Sequence, residues 1–154
     1  MDDSRIFVDA DACPVKDEIA ETARAFDRLA VMVASHDHRL EPREGVQIVQ
    51  VDRSDQAVDL YIANHIRRGD VLVTQDFGLA ALALAKGAAC LSTRGQRFED
   101  GMIDYLLERR GESARRRRGG QRTKGPKAFT AGDREQFLHG LTKLLQQQQE
   151  NKLS

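Results

Sequence analysis

Short apolar runs recur along this chain, each separated from the next by a stretch with helical spacing or a polar loop. Ile6-Phe7-Val8 and the runs at 29–34, 46–51, 71–74 and 88–91 are rich in aliphatic and β-branched residues and read as strands. Between them, Val15, Ile19, Ala20, Ala23 and Phe26 recur at helical spacing and predict a helix at about 14–28. Val58, Ile62 and Ile66 form an apolar stripe on a second helix, capped by Ser54 or Asp55. A third runs from Leu79 to Lys86 and stops at Gly87. Strands that alternate with helices about five times argue for parallel crossovers. The runs are continuously apolar, which fits strands covered on both faces. The expectation is therefore an α/β fold, a three-layer sandwich whose mostly parallel central sheet of about five strands carries helices on both faces.

A length of 154 residues suits one domain with a core of useful size. Aromatic residues make up only 5% and there is no Trp, so aliphatic side chains must do most of the packing. The formal net charge is zero, which excludes global steering of nucleic acid, but the charge is uneven along the chain. The polar stretch Ser92-Thr93-Arg94-Gly95-Gln96-Arg97-Phe98 reads as a loop, and Met102, Ile103, Leu106 and Leu107 give helical spacing after it. Residues 111–127 have almost nothing to bury and carry Arg115, Arg116, Arg117 and Arg118 in succession. Order returns at Thr130, a capping residue with Asp133 three positions on, before a helix faced by Phe137, Leu138, Leu141, Leu144 and Leu145. The run Gln146 to Gln149 is low in complexity and is expected to fray. The predicted organisation is an α/β core over 1–110, a mobile arginine-rich loop over 111–128, and a C-terminal helix over 129–154 that packs on the core.

Two cysteines, Cys13 and Cys90, form no Cys-x-x-Cys pair and no zinc pattern with the histidines. The acidic opening of the chain does not read as a signal peptide, and no apolar run approaches the ~20 residues of a membrane span. A cytoplasmic protein with reduced thiols and no membrane partner is expected. The oligomeric state is not fixed by these patterns, and a homodimer is admissible.

The chemistry gathers at strand ends. The first apolar run stops at Asp9 and Asp11, with one alanine between them, and Cys13-Pro14 then opens a helix. In an open parallel sheet that end of a strand is where ligands bind. Two carboxylates about 4 Å apart repel by roughly 4 kcal/mol at an effective dielectric near 20, so a cation, a basic neighbour or a proton must offset them. Asp76 follows the fourth strand, and Asp55 and Asp59 lie four apart at the start of the second helix. If the first strand is central, these acids share one rim with it. Oxygen-only ligands of this kind suit Mg2+ or Mn2+, and such a site fits hydrolysis of phosphodiesters. Each acid also has a plainer role: Asp9 as a strand end, Asp11, Asp55 and Asp76 as caps, Asp59 as a solvated helix face. Thr74 carries a hydroxyl that could touch water or phosphate. Lys16 could pair with the carboxylates or with a phosphate. The four arginines form a footprint for a nucleic-acid backbone, or else a solvated linker. Cys13 reads as a small packing residue.

The stretch Phe7-Val8-Asp9-Ala10-Asp11-Ala12-Cys13-Pro14-Val15-Lys16-Asp17-Glu18 resembles the opening of the YaiI/YqxD family of bacterial proteins. Val73-Thr74-Gln75-Asp76-Phe77-Gly78-Leu79-Ala80 and Gly125-Pro126-Lys127-Ala128-Phe129 resemble it too, so the likeness spans nearly the whole chain. That family is regarded as similar to PIN domains, metal-dependent nucleases that often act on RNA. The resemblance implies a PIN-like fold and a Mg2+- or Mn2+-dependent nuclease in which Asp9, Asp11 and Asp76 hold metal and act in catalysis. It also implies a further acid from a helix, Asp55 or Asp59. RNA or another nucleic acid is the partner implied, and the charge of Arg115, Arg116, Arg117 and Arg118 would suit its backbone. An apolar strand ending Asp-x-Asp is also similar to haloacid-dehalogenase-type phosphatases, where Asp9 would be the nucleophile and Asp11 the acid/base. Cys13 stands where that pattern usually has Thr. A non-catalytic RNA-binding protein is the third reading.

Overall fold

The first apolar run is buried so completely that it can only be an inner strand: Ile6, Phe7 and Val8 are all 0% exposed. In the computed structural model, which describes residues 4–35, 40–54, 56–99 and 128–153, this run is β1 (Ile6–Asp9). It is joined by β2 (Ala30–Ser35), β3 (Val46–Val51), β4 (Val71–Val73), β5 (Ala89–Leu91) and β6 (Arg97–Phe98) in one sheet of order β3-β2-β1-β4-β5-β6. The first five strands are parallel, and β6 runs antiparallel to β5. Winding proceeds outward from β1 in one direction through β2 and β3, then reverses and returns through β4 and β5.

Because side chains alternate across a strand, each inner strand feeds two cores. Ile6, Val8, Ala30, Met32, Val71, Val73 and Leu91 pack on one face with α1 (Lys16–Ala25) and α4 (Ala131–Leu153). Phe7, Val31, Val33, Leu72 and Cys90 pack on the other with α2 (Ala57–His65) and α3 (Phe77–Ala85). The result is the expected three-layer arrangement. No helix among the described residues is long and apolar enough to cross a membrane.

Three local readings change. Among the described residues the sheet has six strands, because the segment read as a loop at 92–98 folds back on itself. The Gly95 N–H donates to the Ser92 carbonyl, the Ser92 N–H to the Gln96 carbonyl, and Gly95 sits at φ +84°. A strand of two residues leaves no periodicity to read. The first helix is shorter than 14–28: it starts at Lys16 and ends where Asp27 turns left-handed at φ 54° while the Arg28 N–H donates to the Ala23 carbonyl. The glutamine run does not fray, since α4 continues to Leu153. Gln147 accepts from Arg97, and Gln148 both accepts from Arg28 and donates to the Gly69 carbonyl.

The start of α4 is as expected. The Thr130 N–H donates to Asp133 Oδ2 and the Asp133 N–H donates to Thr130 Oγ1, a reciprocal capping box. Phe137, Leu141 and Leu145 are then wholly buried against the sheet. The helix is pinned to the β5–β6 turn by backbone contact. A Cβ on Gly140 would lie 2.7 Å from the Gly95 carbonyl oxygen, and one on Gly95 would lie 2.4 Å from that of Gln136. A Gly→Ala change inside a helix ordinarily stabilises by about 1 kcal/mol. Here the sign is expected to reverse: Gly140→Ala lowers the urea midpoint, by on the order of 1–2 kcal/mol in stability. A midpoint that rises would show that this approach is not tight.

Candidate functional site

The acidic rim forms where the winding reverses. β1 and β4 pair with Val8 opposite Val73, so Asp9 and Thr74 leave the sheet side by side. Thr74 is 1% exposed and its hydroxyl does two things. It donates to Asp9 Oδ2 at 3.3 Å and accepts from the Asp76 N–H at 3.0 Å. The β-branched residue that strand geometry favours here thus ties the ends of two strands together and orients both acids. Asp76 then caps α3, with Oδ1 accepting from the N–H groups of Gly78 at 2.9 Å and Leu79 at 3.1 Å. The cap and the rim acid are one and the same side chain.

A third carboxylate arrives from α2. Asp59 stands in that helix's first turn, close enough to Asp76 and Asp9 to feel both charges. Burial, followed by the charges of Asp76 and Asp9, pushes its carboxyl up to about 6. Asp9 is also raised above its usual value, chiefly by burial, with the charges of Asp11 and Asp76 adding and the Thr74 hydrogen bond opposing. Asp9, Asp59 and Asp76 therefore form one electrostatic group drawn from a strand end, a helix start and a helix cap. Asp59 is not a solvated-face residue.

Asp11 adds its charge to this group through Asp9 and is also engaged elsewhere. It lies on a 3-10 turn over Ala10–Ala12, and its Oδ1 accepts from the Ser35 N–H at 2.9 Å, at the end of β2. Lys16 lines a cavity of about 220 Å³ with Asp17, Leu40 and Arg43, and is not among the charges that shift Asp9 or Asp59. Asp55 and Arg115, Arg116, Arg117 and Arg118 lie outside the described residues. Cys13 is buried, and burial pushes its thiol up to about 11, so it is not a thiolate nucleophile at neutral pH.

Among the described residues no group of three or more Asp, Glu, His or Cys side chains is disposed to hold a metal ion as it stands. Magnesium, however, is commonly bound through one or two carboxylates with waters completing the octahedron. The donor set suits such an ion: all-oxygen, and with two carboxyls raised by burial and neighbouring negative charge, a cost that a divalent cation would relieve.

A family model described as "Uncharacterized BCR, YaiI/YqxD family" matches residues 7–147 of the chain. The chain belongs to the YaiI/YqxD family. Among relatives, it is 49% identical over 140 residues to a UPF0178 protein of Halalkalibacterium halodurans, covering 91% of this chain and 89% of that one. It is 43% identical over 141 residues to a UPF0178 protein of Shouchella clausii, covering 92% of each. It is 47% identical over 141 residues to one of Bacillus velezensis, covering 91% of this chain and 84% of that one. No solved structure matches significantly. The stretch that this YaiI/YqxD protein shares with the family model contains all of Asp9, Asp11, Asp59, Thr74 and Asp76.

Two features of the site escaped the sequence. One is the double role of the Thr74 hydroxyl, which a strand threonine does not advertise. The other is a cavity lined by Gln75 and Phe77, the neighbours of Asp76, and by Thr93, to which Gln75 donates across 18 residues of chain.

The raised Asp59 carboxyl has a definite sign in stability. Between about pH 4, where the unfolded group titrates, and about pH 6 the folded protein keeps a proton that the unfolded chain releases. Stability therefore falls as pH rises through that window and stays lower above it. Asp59→Asn removes the dependence. At pH 7.5 it is expected to be the more stable protein, by on the order of 1 kcal/mol once solvent screening at this part-exposed site is allowed for. Near pH 4 the two should converge. Urea midpoints measured across this range check it, and equal midpoints at pH 7.5 contradict it.

Proposed function

We propose that this protein is a PIN-like nuclease that uses Mg2+ or Mn2+ to cleave RNA or another phosphodiester. The observation that carries the reading is the grouping of Asp9, Asp59 and Asp76 at the carboxyl ends of β1 and β4, where the sheet reverses its winding. Such a crevice is the preferred ligand site of an open parallel sheet. Asp9 and Asp76 would hold the ion, with Asp59 completing its surroundings and Asp11 adding negative charge nearby. A bound ion would polarise the phosphate, lower the pKa of an attacking water and offset charge on the leaving oxygen.

The protein's own groups have separable tasks. Thr74 holds Asp9 in place through Oδ2. The N-terminus of α3 holds Asp76 through Oδ1. Asp59, raised by burial and by the charges of Asp76 and Asp9, adds a further carboxyl beside the ion. Support for a diesterase over an Asp9/Asp11 phosphatase comes from the partners of Asp9. Asp9 feels the charges of Asp11 and Asp76, and Asp59 feels those of Asp76 and Asp9, so Asp11 is one of several acids around Asp9 rather than its sole partner, and its Oδ1 is also engaged by the Ser35 N–H at the end of β2.

The test is cleavage of a labelled single-stranded RNA and turnover of a phosphate monoester, each with manganese, magnesium or chelator. The expected result is RNA cleavage that is lost in chelator and at least about a hundredfold slower in Asp9→Asn. Monoester turnover through a trapped aspartyl phosphate, or tight RNA binding with no cleavage in either metal, contradicts it.

The arginine run enters this reading through its charge alone. Replacing Arg115, Arg116, Arg117 and Arg118 by Ala is expected to weaken RNA binding and to make the slope of log affinity against log salt shallower by up to about 3. Filter binding between about 50 and 200 mM salt measures it, and an unchanged slope removes these residues from the interface.

A further inference from the structure

The end of β4 has two sides, and only one belongs to the carboxylates. Thr74 reaches toward Asp9 after β1. The next residue, Gln75, reaches the other way, and its Nε2 donates to Thr93 Oγ1 at 2.8 Å beyond the end of β5. Between Gln75, Phe77 and the β5–β6 turn lies a cavity of about 180 Å³, also lined by Ser92, Arg94 and Phe98. Asp76 sits between Gln75 and Phe77 in the chain, so both chain neighbours of a rim acid line the cavity.

The lining is specific in its chemistry. Phe77 is half-buried, and its ring is set by Phe98, which meets it edge-on with centroids 5.6 Å apart and planes at 70°. Phe98 is itself buried. The Gln75 amide uses one N–H on Thr93, while such an amide carries a second donor and an acceptor. Arg94 brings a cation to the wall, with Nε 3.5 Å from Asp133 Oδ2 and its guanidinium over the Phe129 ring. Those contacts tie the β5–β6 turn to the start of α4. Sites for drug-sized molecules run from about 300 Å³ upward. This one is smaller and suits a single planar group. A flat ring face, an amide to read an edge and a fixed cation are the elements by which proteins take up an unstacked base.

We infer that this cavity receives one base of a single-stranded nucleic acid whose neighbouring phosphate lies over Asp9 and Asp76. The inference rests on the nuclease reading for the phosphate and on the cavity for the base. It makes the substrate single-stranded, because a paired and stacked base cannot enter.

The experiment measures fluorescence anisotropy of labelled five-nucleotide RNA homopolymers, and of a strand with a central abasic position, in chelator so that no cleavage is needed. Adenosine, uridine, cytidine and guanosine monophosphates form a separate arm. The native protein is expected to bind at least one homopolymer about tenfold more tightly than the abasic strand. Phe77→Leu keeps apolar packing on Phe98 but removes the ring, and should reduce that preference to under about threefold. Gln75→Ala changes an exposed side chain and should alter the ranking of the four bases, which keeps the test valid if Phe77→Leu is unstable. If native protein, Phe77→Leu and Gln75→Ala all bind and rank the strands alike, the base site is wrong. If only the monophosphates bind and they depend on Phe77, the cavity serves a free nucleotide and the strand assignment is overturned. Cleavage with manganese separates the two readings. Asp9-dependent cleavage indifferent to Phe77 and Gln75 overturns the base site alone. Phe77-dependent base preference without any cleavage supports the base site and overturns the nuclease.

Discussion

Burial of β1 on both faces is the constraint from which the rest follows. A strand with no water on either side must have strands on both edges and helices over both surfaces. Its backbone groups are satisfied by β2 on one edge and β4 on the other. A parallel partner on each edge requires crossovers, and the reversal of winding falls between β1 and β4. Asp9 and Thr74 end up adjacent because Val8 and Val73 are in register, although 65 residues separate them in the chain. A slip of that register by one residue would turn Thr74 to the opposite face and undo the rim.

The rim itself works against folding. Three linked carboxylates in a part-buried position repel one another, and two of them respond by holding protons more tightly than free carboxylates do. The chain tolerates this because each acid is also anchored. Asp9 is fastened by the Thr74 hydroxyl and Asp76 by the amides that begin α3, while Asp59 is carried on α2. Local strain of this sort, kept in place by rigid elements, is a common mark of a functional site. The same logic explains why the cap role of Asp76 and its role in the rim are compatible. Both cap bonds land on Oδ1.

Much of this was legible beforehand, for physical reasons. Runs such as Ile6-Phe7-Val8 and Val71-Leu72-Val73 announce inner strands because both faces demand apolar side chains, and Thr130 with Asp133 announces a helix start because the two bond reciprocally. What was illegible depends on meetings across the chain. Asp59 looks like a surface residue until α2 is laid against α3 and brings it to Asp76. Thr74 looks like any β-branched strand residue until β1 supplies its acceptor. Gln147 and Gln148 look like a fraying tail until Arg97, Arg28 and Gly69 come within reach. The turn after β5 looked like a loop because its return strand, Arg97–Phe98, is too short for any period to show. Membership of the YaiI/YqxD family supports the shared framework, while the chemistry has to be argued from the rim.

The central claim is that the acids meeting between β1 and β4 bind a divalent ion. Anomalous diffraction from crystals of the native chain grown with manganese measures this directly. The account predicts a peak bridged by carboxylate oxygens of Asp9 and Asp76, with Asp59 or a water it holds nearby. A map with no peak at that rim, or with manganese bound only elsewhere, would contradict it.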